Sequence, residues 1–329
     1  MNKHSSIKSA GSLLERASEL YGFGNALRGN GIDLPAPVTE TLPTVEPALS
    51  SATETVAHET AAAATKTVVH ETATHREMAA RPASSNFVII DRSRLATQNF
   101  IVPDGPVTGL SEEFRIVKRQ LLLAARGGKG VEALPHGERI LVCSASPNEG
   151  KTYCAINLAL SMASEKDNRV LLVDADFAKP SVLSTLGINT HRGFMDALAD
   201  RHCDVESLVI ETDIDGLSIL PAGSQTNQDT EYLAAARTAE IIEQLTRNDP
   251  SRIIIFDSPP ALAASPASVL ALHVGQMLMV VNADVTTDSA LRDALNLLSG
   301  CEHVQLLLNR TKFSPTGRKF GNYYGYGAS

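Results

Sequence analysis

From about residue 139 onward, the chain alternates between short apolar runs and longer stretches in which apolar residues recur with a helical period. Continuous apolar runs of this length are typical of strands buried on both faces of a sheet. We predict such strands at residues 140–143, 170–173, 217–220, 253–256, 277–281 and 304–308. Helices are predicted near residues 152–164, 193–200, 230–246, 265–272 and 289–298, with Ser265 placed to cap the fourth. This alternation predicts an α/β fold, a doubly wound and mostly parallel sheet.

Two further elements are predicted before the first of these strands. An apolar run at residues 87–91 indicates a strand, and residues 111–125 have the pattern of a helix with one apolar side. The other side of this helix carries Glu112, Arg115 and Lys118 at intervals of three residues. Opposite charges at this spacing predict a solvated helix face.

The first 85 residues have a different character. Residues 1–30 include an amphipathic pattern that starts at Ser12 and Glu15, which have capping-box spacing. This helix could dock on a partner, dock on its own domain or have no role. Residues 31–85 contain no aromatic residue and are rich in Ala, Thr, Glu, Pro and Val, which predicts a disordered linker. A folded domain at 86–315 and a flexible tail at 316–329 complete the predicted organisation.

Charge and cysteine content narrow the functional classes. The 329-residue chain has a formal net charge of −8, which argues against general nucleic-acid binding. Its four cysteines have neither metal-ligand spacing nor the spacing of a disulfide framework, which indicates a reducing cytoplasm. No apolar run is long enough to cross a membrane, and the N-terminus has no secretory pattern. We therefore expect any membrane association to occur through a partner or a local segment.

The residues between the first predicted parallel strand and its helix form a candidate phosphate-binding loop that ends in Gly150, Lys151 and Thr152. Backbone N–H groups of such a loop and of the following helix N-terminus point at an anion. The Lys151 ammonium would reach the β- and γ-phosphates of a nucleotide, and the Thr152 hydroxyl would hold Mg²⁺. Ala145 stands where the usual pattern has its first glycine, and Asn148 occupies a position where a positive φ is expected.

Acidic residues follow two of the other predicted strands. Asp174 and Asp176 come after the strand at 170–173, and Asp257 follows the strand at 253–256. Because ligands bind beyond the carboxyl ends of parallel strands, these carboxylates are expected on the same edge as the loop. One of the paired acids could face Mg²⁺, and the other could accept the proton of a tyrosine hydroxyl, whose pKa is about 10. Phosphoryl transfer otherwise depends on positioning and charge neutralisation.

Three tyrosines lie close together near the C-terminus. Tyr323, Tyr324 and Tyr326 are three of only six tyrosines in the chain, and glycines lie nearby at positions 321, 325 and 327. A phosphate acceptor needs a flexible flank to enter an active site, and glycine supplies that flexibility. This segment is a candidate phosphate acceptor, either for its own subunit or for a neighbour.

Three motifs resemble the Walker A, A′ and B motifs of the bacterial tyrosine kinases, a family in the MinD/ParA-like branch of P-loop NTPases. They run from Ser146 to Thr152, from Leu172 to Pro180 and from Phe256 to Pro260. Within that family, the N-terminal helix and the glycine–tyrosine tail are most similar to the exosortase-associated tyrosine autokinases of exopolysaccharide operons.

The resemblance implies specific roles for residues of this chain. ATP and Mg²⁺ would be the ligands of a P-loop tyrosine kinase domain. The nucleotide-binding residues would be Ser146, Pro147, Asn148, Glu149, Gly150, Lys151, Thr152 and Asn309, the last at the adenine. The catalytic residues would be Lys151, Asp174, Asp176 and Asp257, and the metal ligands Thr152, Asp176 and Asp257. Glu112, Arg115 and Lys118 would form an oligomerisation motif, and Tyr323, Tyr324 and Tyr326 would be the phosphate acceptors.

The implied function is that of an ATP-dependent protein-tyrosine autokinase acting on its own tail, in trans, to regulate the synthesis, chain length and export of an exopolysaccharide. The implied partners are a membrane activator of the chain-length-determinant type, further copies in a ring-like homo-oligomer and a cognate tyrosine phosphatase. The implied location is the cytoplasm, at the inner face of the plasma membrane through that activator.

Two alternatives remain open. A MinD/ParA-like positioning ATPase of the same branch would hydrolyse ATP without modifying protein, but such proteins usually carry a second lysine early in the loop. Here Ser144, Ala145 and Ser146 occupy that stretch. The second alternative is a nucleotide-gated scaffold whose tyrosine tail has no role.

Overall fold

The computed structural model describes residues 86–189 and 191–311. The predicted N-terminal helix, the linker at 31–85 and the tail with Tyr323, Tyr324 and Tyr326 lie outside the described residues. No helix among the described residues is both long enough and apolar enough to span a bilayer.

The described strands form one sheet in the order β1-β4-β5-β3-β6-β2-β7-β8. Their bounds are β1 Phe87–Val88, β2 Arg139–Ser144, β3 Arg169–Asp174, β4 Ile210–Thr212, β5 Leu217–Leu220, β6 Arg252–Asp257, β7 Gln276–Asn282 and β8 Val304–Asn309. All neighbouring strands are parallel except β4 and β5, which are antiparallel. The predicted α/β class with a mostly parallel sheet is confirmed.

The helices pack on both faces of this sheet. Their bounds are α1 Arg92–Thr97, α2 Gly109–Arg126, α3 Lys151–Ala163, α4 Val182–Leu186, α5 Phe194–Ala199, α6 Asp229–Ala234, α7 Ala236–Arg247, α8 Pro266–Leu270 and α9 Asp288–Leu297. Two short 3₁₀ turns lie at Val205–Leu208 and Ala271–His273. Buried residues of α1 to α4 belong to the core layer on one face, and those of α5 to α9 belong to the layer on the other. Alternate residues of the central strands enter the two layers, which explains their continuous apolar sequences.

Three predicted elements need correction. The helix predicted at 230–246 is two helices, because Ala235 is extended, with φ −74° and ψ 153°. The Thr238 hydroxyl donates to the Tyr232 carbonyl across this break at 3.2 Å. Ser265 makes no side-chain cap; its hydroxyl lies 3.1 Å from that of Thr230. The strand predicted at 87–91 has only two residues, and the Ile90 amide donates instead to the Asp213 carboxylate.

The charged side of α2 is only partly solvated. Glu112 and Arg115 form an exposed ion pair, as the spacing predicts. Lys118 is buried, with 6% of its surface exposed. Its ammonium donates to the Ser161 carbonyl at 2.7 Å and lies 3.0 Å from a carboxylate oxygen of Glu165. The prediction of an exposed Lys118 is wrong, because the end of α3 offers both a carbonyl and a favourable dipole to a cation.

Lys118 should therefore matter for stability. We expect Lys118→Met to lower the free energy of unfolding by about 1–2 kcal/mol, since a charge-assisted hydrogen bond is lost while half-exposed Glu165 stays solvated. The melting temperature should fall by roughly 2–8 °C. Arg119→Met, on the exposed side of the same helix, is the matched control and should leave the melting temperature unchanged. Equal melting of both variants and the wild type would contradict the buried contact.

Candidate functional site

The loop between β2 and α3 has the backbone shape that binds anions. Asn148 and Gly150 have positive φ angles of 63° and 97°, a region that asparagine and glycine tolerate better than other residues. The positive φ predicted at Asn148 is thus confirmed. A Cβ atom at Gly150 would lie 2.2 Å from Nδ2 of Asn309. Helix α3 begins immediately afterwards at Lys151, so its N-terminal amides adjoin the loop.

Lys151 forms a largely buried ion pair at this edge. Its Nζ lies 2.8 Å from Oδ2 of Asp176. Burial alone would lower the pKa of the Lys151 ammonium, but the nearby carboxylates of Asp257 and Asp176 outweigh that effect and raise the pKa. Lys151 therefore remains a cation, and a bound phosphate would compete with Asp176 for it.

Asp174 is held by backbone amides. Its Oδ2 accepts hydrogen bonds from the N–H groups of Ser181 and Val182, both at 3.0 Å, and its Oδ1 accepts from the Asp176 N–H at 3.3 Å. Burial raises the pKa of the Asp174 carboxyl to about 6 despite these bonds. Both oxygens are engaged in shaping the turn that leads into α4. This arrangement fits a positioning residue better than a group that takes a proton from a substrate.

Asp257 lies near the Lys151 ammonium and the Thr152 hydroxyl, but neither group is within hydrogen-bond distance of its carboxylate. It is fully buried, and neither of its oxygens has a hydrogen-bond partner among the described residues. Burial raises the pKa of its carboxyl to about 7, although the Lys151 charge opposes the shift. An unpartnered buried carboxylate is costly and fits a group that receives a cation or its bound water.

Mg²⁺ fits this donor set, although the protein side chains alone would not enclose it. No group of three or more His, Cys, Asp or Glu side chains within residues 86–189 and 191–311 is arranged to hold a metal ion. Mg²⁺ commonly takes one or two carboxylates and completes its shell with substrate phosphates and water. Asp257 and the Thr152 hydroxyl could supply oxygen ligands of this kind.

Two hydroxyl-bearing residues at the site were not predicted from the sequence. The Ser181 Oγ lies 3.2 Å from the Thr152 Oγ1. The Thr286 hydroxyl contacts Oε1 of Glu149. Ser181 follows the paired acids at the turn into α4, which is a usable sequence signal. Thr286 has none, because it lies more than 130 residues from its partner.

Glu149 is buried and in contact with the partly buried Asn309. Glu149 is only 2% exposed, and its Oε2 accepts a hydrogen bond from the Ser146 N–H at 3.0 Å. The Asn309 Nδ2 donates to the Glu149 carbonyl at 2.9 Å. Glu149 thus lies beneath the loop, while Pro147 and Asn148 are exposed at its tip.

The structure brings together most of the predicted site residues. Those that meet at the carboxyl edge of the central strands are Lys151, Thr152, Asp174, Asp176, Asp257 and Asn309. Glu112, Arg115 and Lys118 belong to α2, and the tail tyrosines are not among the described residues.

A family model described as an AAA domain matches residues 140–311. Among curated relatives, the tyrosine-protein kinase wzc of Salmonella typhimurium is 30% identical over 190 residues, 57% of this chain and 26% of that protein. The tyrosine-protein kinase YwqD of Bacillus subtilis is 26% identical over 238 residues, 71% of this chain and 94% of that protein. The chain therefore spans about a quarter of wzc and nearly all of YwqD.

A solved structure leads to the same group of proteins. The kinase domain of VpsO is 26% identical to this chain, with a TM-score of 0.51 that covers 61% of this chain and 96% of that domain. These comparisons confirm the resemblance to bacterial tyrosine kinases that the three motifs predicted.

Proposed function

This chain belongs to the AAA domain family, and on that premise we propose that it is an ATP-dependent protein-tyrosine autokinase that phosphorylates its own C-terminal tyrosines. The observation that carries the proposal is the convergence of Lys151, Asp176 and the unpartnered Asp257 beside an anion-binding loop. The names of the relatives, tyrosine-protein kinases in each case reported above, support the choice of phosphoryl transfer over simple hydrolysis.

In this proposal, the loop and Lys151 hold the triphosphate of ATP. The loop amides and the α3 N-terminus supply hydrogen bonds, and the ammonium of Lys151 moves from Asp176 to the β- and γ-phosphates. Thr152 and Asp257 would hold Mg²⁺, which would neutralise charge that builds up on the phosphates. Asn309, at the end of β8, remains the proposed neighbour of the adenine.

The tyrosine is activated by a carboxylate. The tyrosine hydroxyl oxygen forms a bond with the γ-phosphorus as the bond to the bridging oxygen of ADP breaks, and the hydroxyl proton passes to a carboxylate. We assign that carboxylate to Asp176, since release of Lys151 leaves one of its oxygens open. Asp174, whose oxygens accept three backbone N–H groups, positions the turn that carries Asp176.

Tyr323, Tyr324 and Tyr326 are the proposed acceptors, delivered in trans by a neighbouring subunit of a ring-like homo-oligomer. Glu112 and Arg115, which are paired with each other on α2, are the proposed contact between subunits, with Lys118 supporting α2 from inside. Each added phosphate would bring roughly −1.5 to −2 charges, and the repulsion would weaken assembly.

The proposed process is the control of exopolysaccharide synthesis, chain length and export. A membrane activator of the chain-length-determinant type would recruit the chain to the inner face of the plasma membrane, and a tyrosine phosphatase would reset it. Nucleic acid is not expected as a partner, because the net charge is −8.

Replacing the tail tyrosines tests the reaction. We expect the triple variant Tyr323→Phe, Tyr324→Phe, Tyr326→Phe to lose essentially all phosphotyrosine formed by the full-length protein with ATP and Mg²⁺, because phenylalanine lacks the attacking oxygen. Nucleotide affinity should not change. Mass spectrometry of the tail and an anti-phosphotyrosine blot are the measurements, in the presence of the activator's cytoplasmic segment.

Tyr232→Phe provides the control, since this tyrosine packs against the core on α6 and should leave phosphorylation intact. ATP hydrolysis by the wild type without phosphotyrosine would reject the kinase and favour a MinD/ParA-like positioning ATPase. Nucleotide binding without either reaction would favour the scaffold.

A further inference from the structure

We propose that Thr286 is a positioning residue that fixes the shape of the phosphate-binding loop through the buried carboxylate of Glu149. The inference rests on the proposed function, because it assigns a cause to nucleotide affinity at that loop. Thr286 lies after β7, outside the motifs that identify the site, and its hydroxyl contacts Glu149 of the loop.

The direction of the Thr286 hydrogen bond follows from its partners. The Thr286 Oγ1 accepts a hydrogen bond from the Asn282 N–H at 2.9 Å. A hydroxyl has a single proton to donate. That proton is available for Oε1 of Glu149, with which the hydroxyl is in contact. The Thr286 hydroxyl therefore links the end of β7 to the loop in a defined orientation.

Glu149 carries a negative charge within the phosphate-binding loop, where a side chain directed at the ligand would repel the phosphate. Its carboxylate is turned inward, where Thr286 satisfies one oxygen and the Ser146 N–H satisfies the other at 3.0 Å. The Ser146 N–H therefore donates its hydrogen bond within the loop. We infer that Glu149 shapes the loop and does not touch the nucleotide.

Asn309 anchors the same residue from the other side. Its Nδ2 donates to the Glu149 carbonyl at 2.9 Å and occupies the space left by the missing side chain of Gly150. Its Oδ1 accepts from the Arg310 N–H at 2.9 Å, which fixes the amide orientation. Glu149 is thus held through its carboxylate by the segment that follows β7, and through its backbone carbonyl by the last residue of β8.

These anchors offset the conformational cost of the loop. Asn148 and Gly150 both have positive φ, which a free loop of this sequence would adopt only part of the time. Apparent ligand affinity falls in proportion to the fraction of molecules in the competent shape. Removal of the Thr286 hydroxyl leaves a buried Glu149 oxygen without a hydrogen-bond donor. This penalty favours loop conformations in which the carboxylate reaches solvent, so fewer molecules have the competent shape.

Thr286→Val tests the inference because it removes the hydroxyl and keeps the branched shape. We expect the dissociation constant of a fluorescent ADP analogue, measured with Mg²⁺, to be roughly tenfold or more higher for Thr286→Val than for the wild type. The KM for ATP should rise similarly, while kcat at saturating ATP changes little, because bound nucleotide restores the loop. Thr286→Ser, which keeps the hydroxyl, should bind like the wild type.

Thr287→Val is the matched control. The neighbouring Thr287 caps α9 by accepting the Ala290 N–H at 3.2 Å, so its loss should lower the melting temperature without changing nucleotide affinity. Unchanged affinity in Thr286→Val, or equal loss in Thr286→Val and Thr286→Ser, would overturn the proposal.

A second measurement separates this inference from the proposed function. Amide hydrogen exchange of the ligand-free protein should become faster across residues 145–150 in Thr286→Val and stay unchanged there in Thr287→Val. If the wild type binds no nucleotide, the proposed kinase fails. In that case the exchange result alone decides the role of Thr286: faster exchange in Thr286→Val supports it, and unchanged exchange overturns it.

Discussion

Lys151→Met is expected to reduce tail phosphorylation by about 10²- to 10³-fold, the scale observed when a site loses one preorganised donor to its transition state. Lys151 is the one cation that the described structure pairs directly with a site carboxylate, Asp176, at 2.8 Å. Methionine keeps a similar length and supplies no charge to the phosphates. The measurement is the initial rate of phosphotyrosine formation in full-length protein with ATP and Mg²⁺.

The same substitution should change the ligand-free protein. Without the Lys151 ammonium, the buried carboxylates of Asp176 and Asp257 lose the charge that offsets their burial. We therefore expect a lower melting temperature together with lower activity. Lys129→Met, in an exposed loop, is the control for loss of one lysine charge and should change neither quantity. Full phosphorylation in Lys151→Met would exclude this site as the kinase centre.

Asp257→Asn is expected to lower activity and raise stability. Loss of a carboxylate ligand should weaken Mg²⁺ binding and reduce phosphorylation by about 10²-fold or more, since a metal ion contributes several kcal/mol to the stabilisation of phosphoryl-transfer charge. In the ligand-free protein at pH 8, however, the substitution removes the charge of a fully buried carboxylate, whose pKa of about 7 shows that burial outweighs the attraction of Lys151. A gain of about 1 kcal/mol would raise the melting temperature by roughly 2–4 °C.

Opposite signs in these two measurements would distinguish a functional carboxylate from a structural one. Asp249→Asn provides the contrast, because Asp249 pairs with Arg169 and accepts hydrogen bonds from Ser251. That variant should lose stability and keep its activity. If Asp257→Asn instead melts lower than the wild type, Asp257 has a stabilising role and the assignment to Mg²⁺ fails.

The central strands could be predicted from the sequence because burial on both faces leaves one signal, a continuous apolar run. The predicted strand at 217–220 matches β5 Leu217–Leu220. Elements that depend on tertiary contacts carried no such signal. The strand β4 Ile210–Thr212 has three residues and pairs antiparallel with β5. The break at Ala235 contains no glycine or proline and depends on the buried Thr238, whose hydroxyl bonds to a carbonyl before the break.

The site was predictable where it follows a strand end and less so where residues meet across the fold. Lys151, Asp174 and Asp257 could be predicted because ligands bind beyond the carboxyl ends of parallel strands. Thr286 and the burial of Lys118 depend on partners 137 and 43 residues away in the chain. The prediction that Lys118 points outward is wrong because the three-residue spacing takes account of α2 alone. The end of α3 supplies the carbonyl and carboxylate that Lys118 contacts.

The pairing of β3 with β6 has a consequence for how the site is assembled during folding. Asp174 and Asp257 are partners across these two strands, one pair beyond Val173 and Phe256. A slip of one residue would turn every side chain of β6 to the opposite face. Phe256 packs against Phe194 with ring centroids 6.4 Å apart, and such a slip could move it into the place of Ile255 in the other layer. A phenylalanine does not fit an isoleucine's space without strain. Apolar core residues that touch no ligand therefore disfavour the shifted register and so fix the spacing of the two carboxylates.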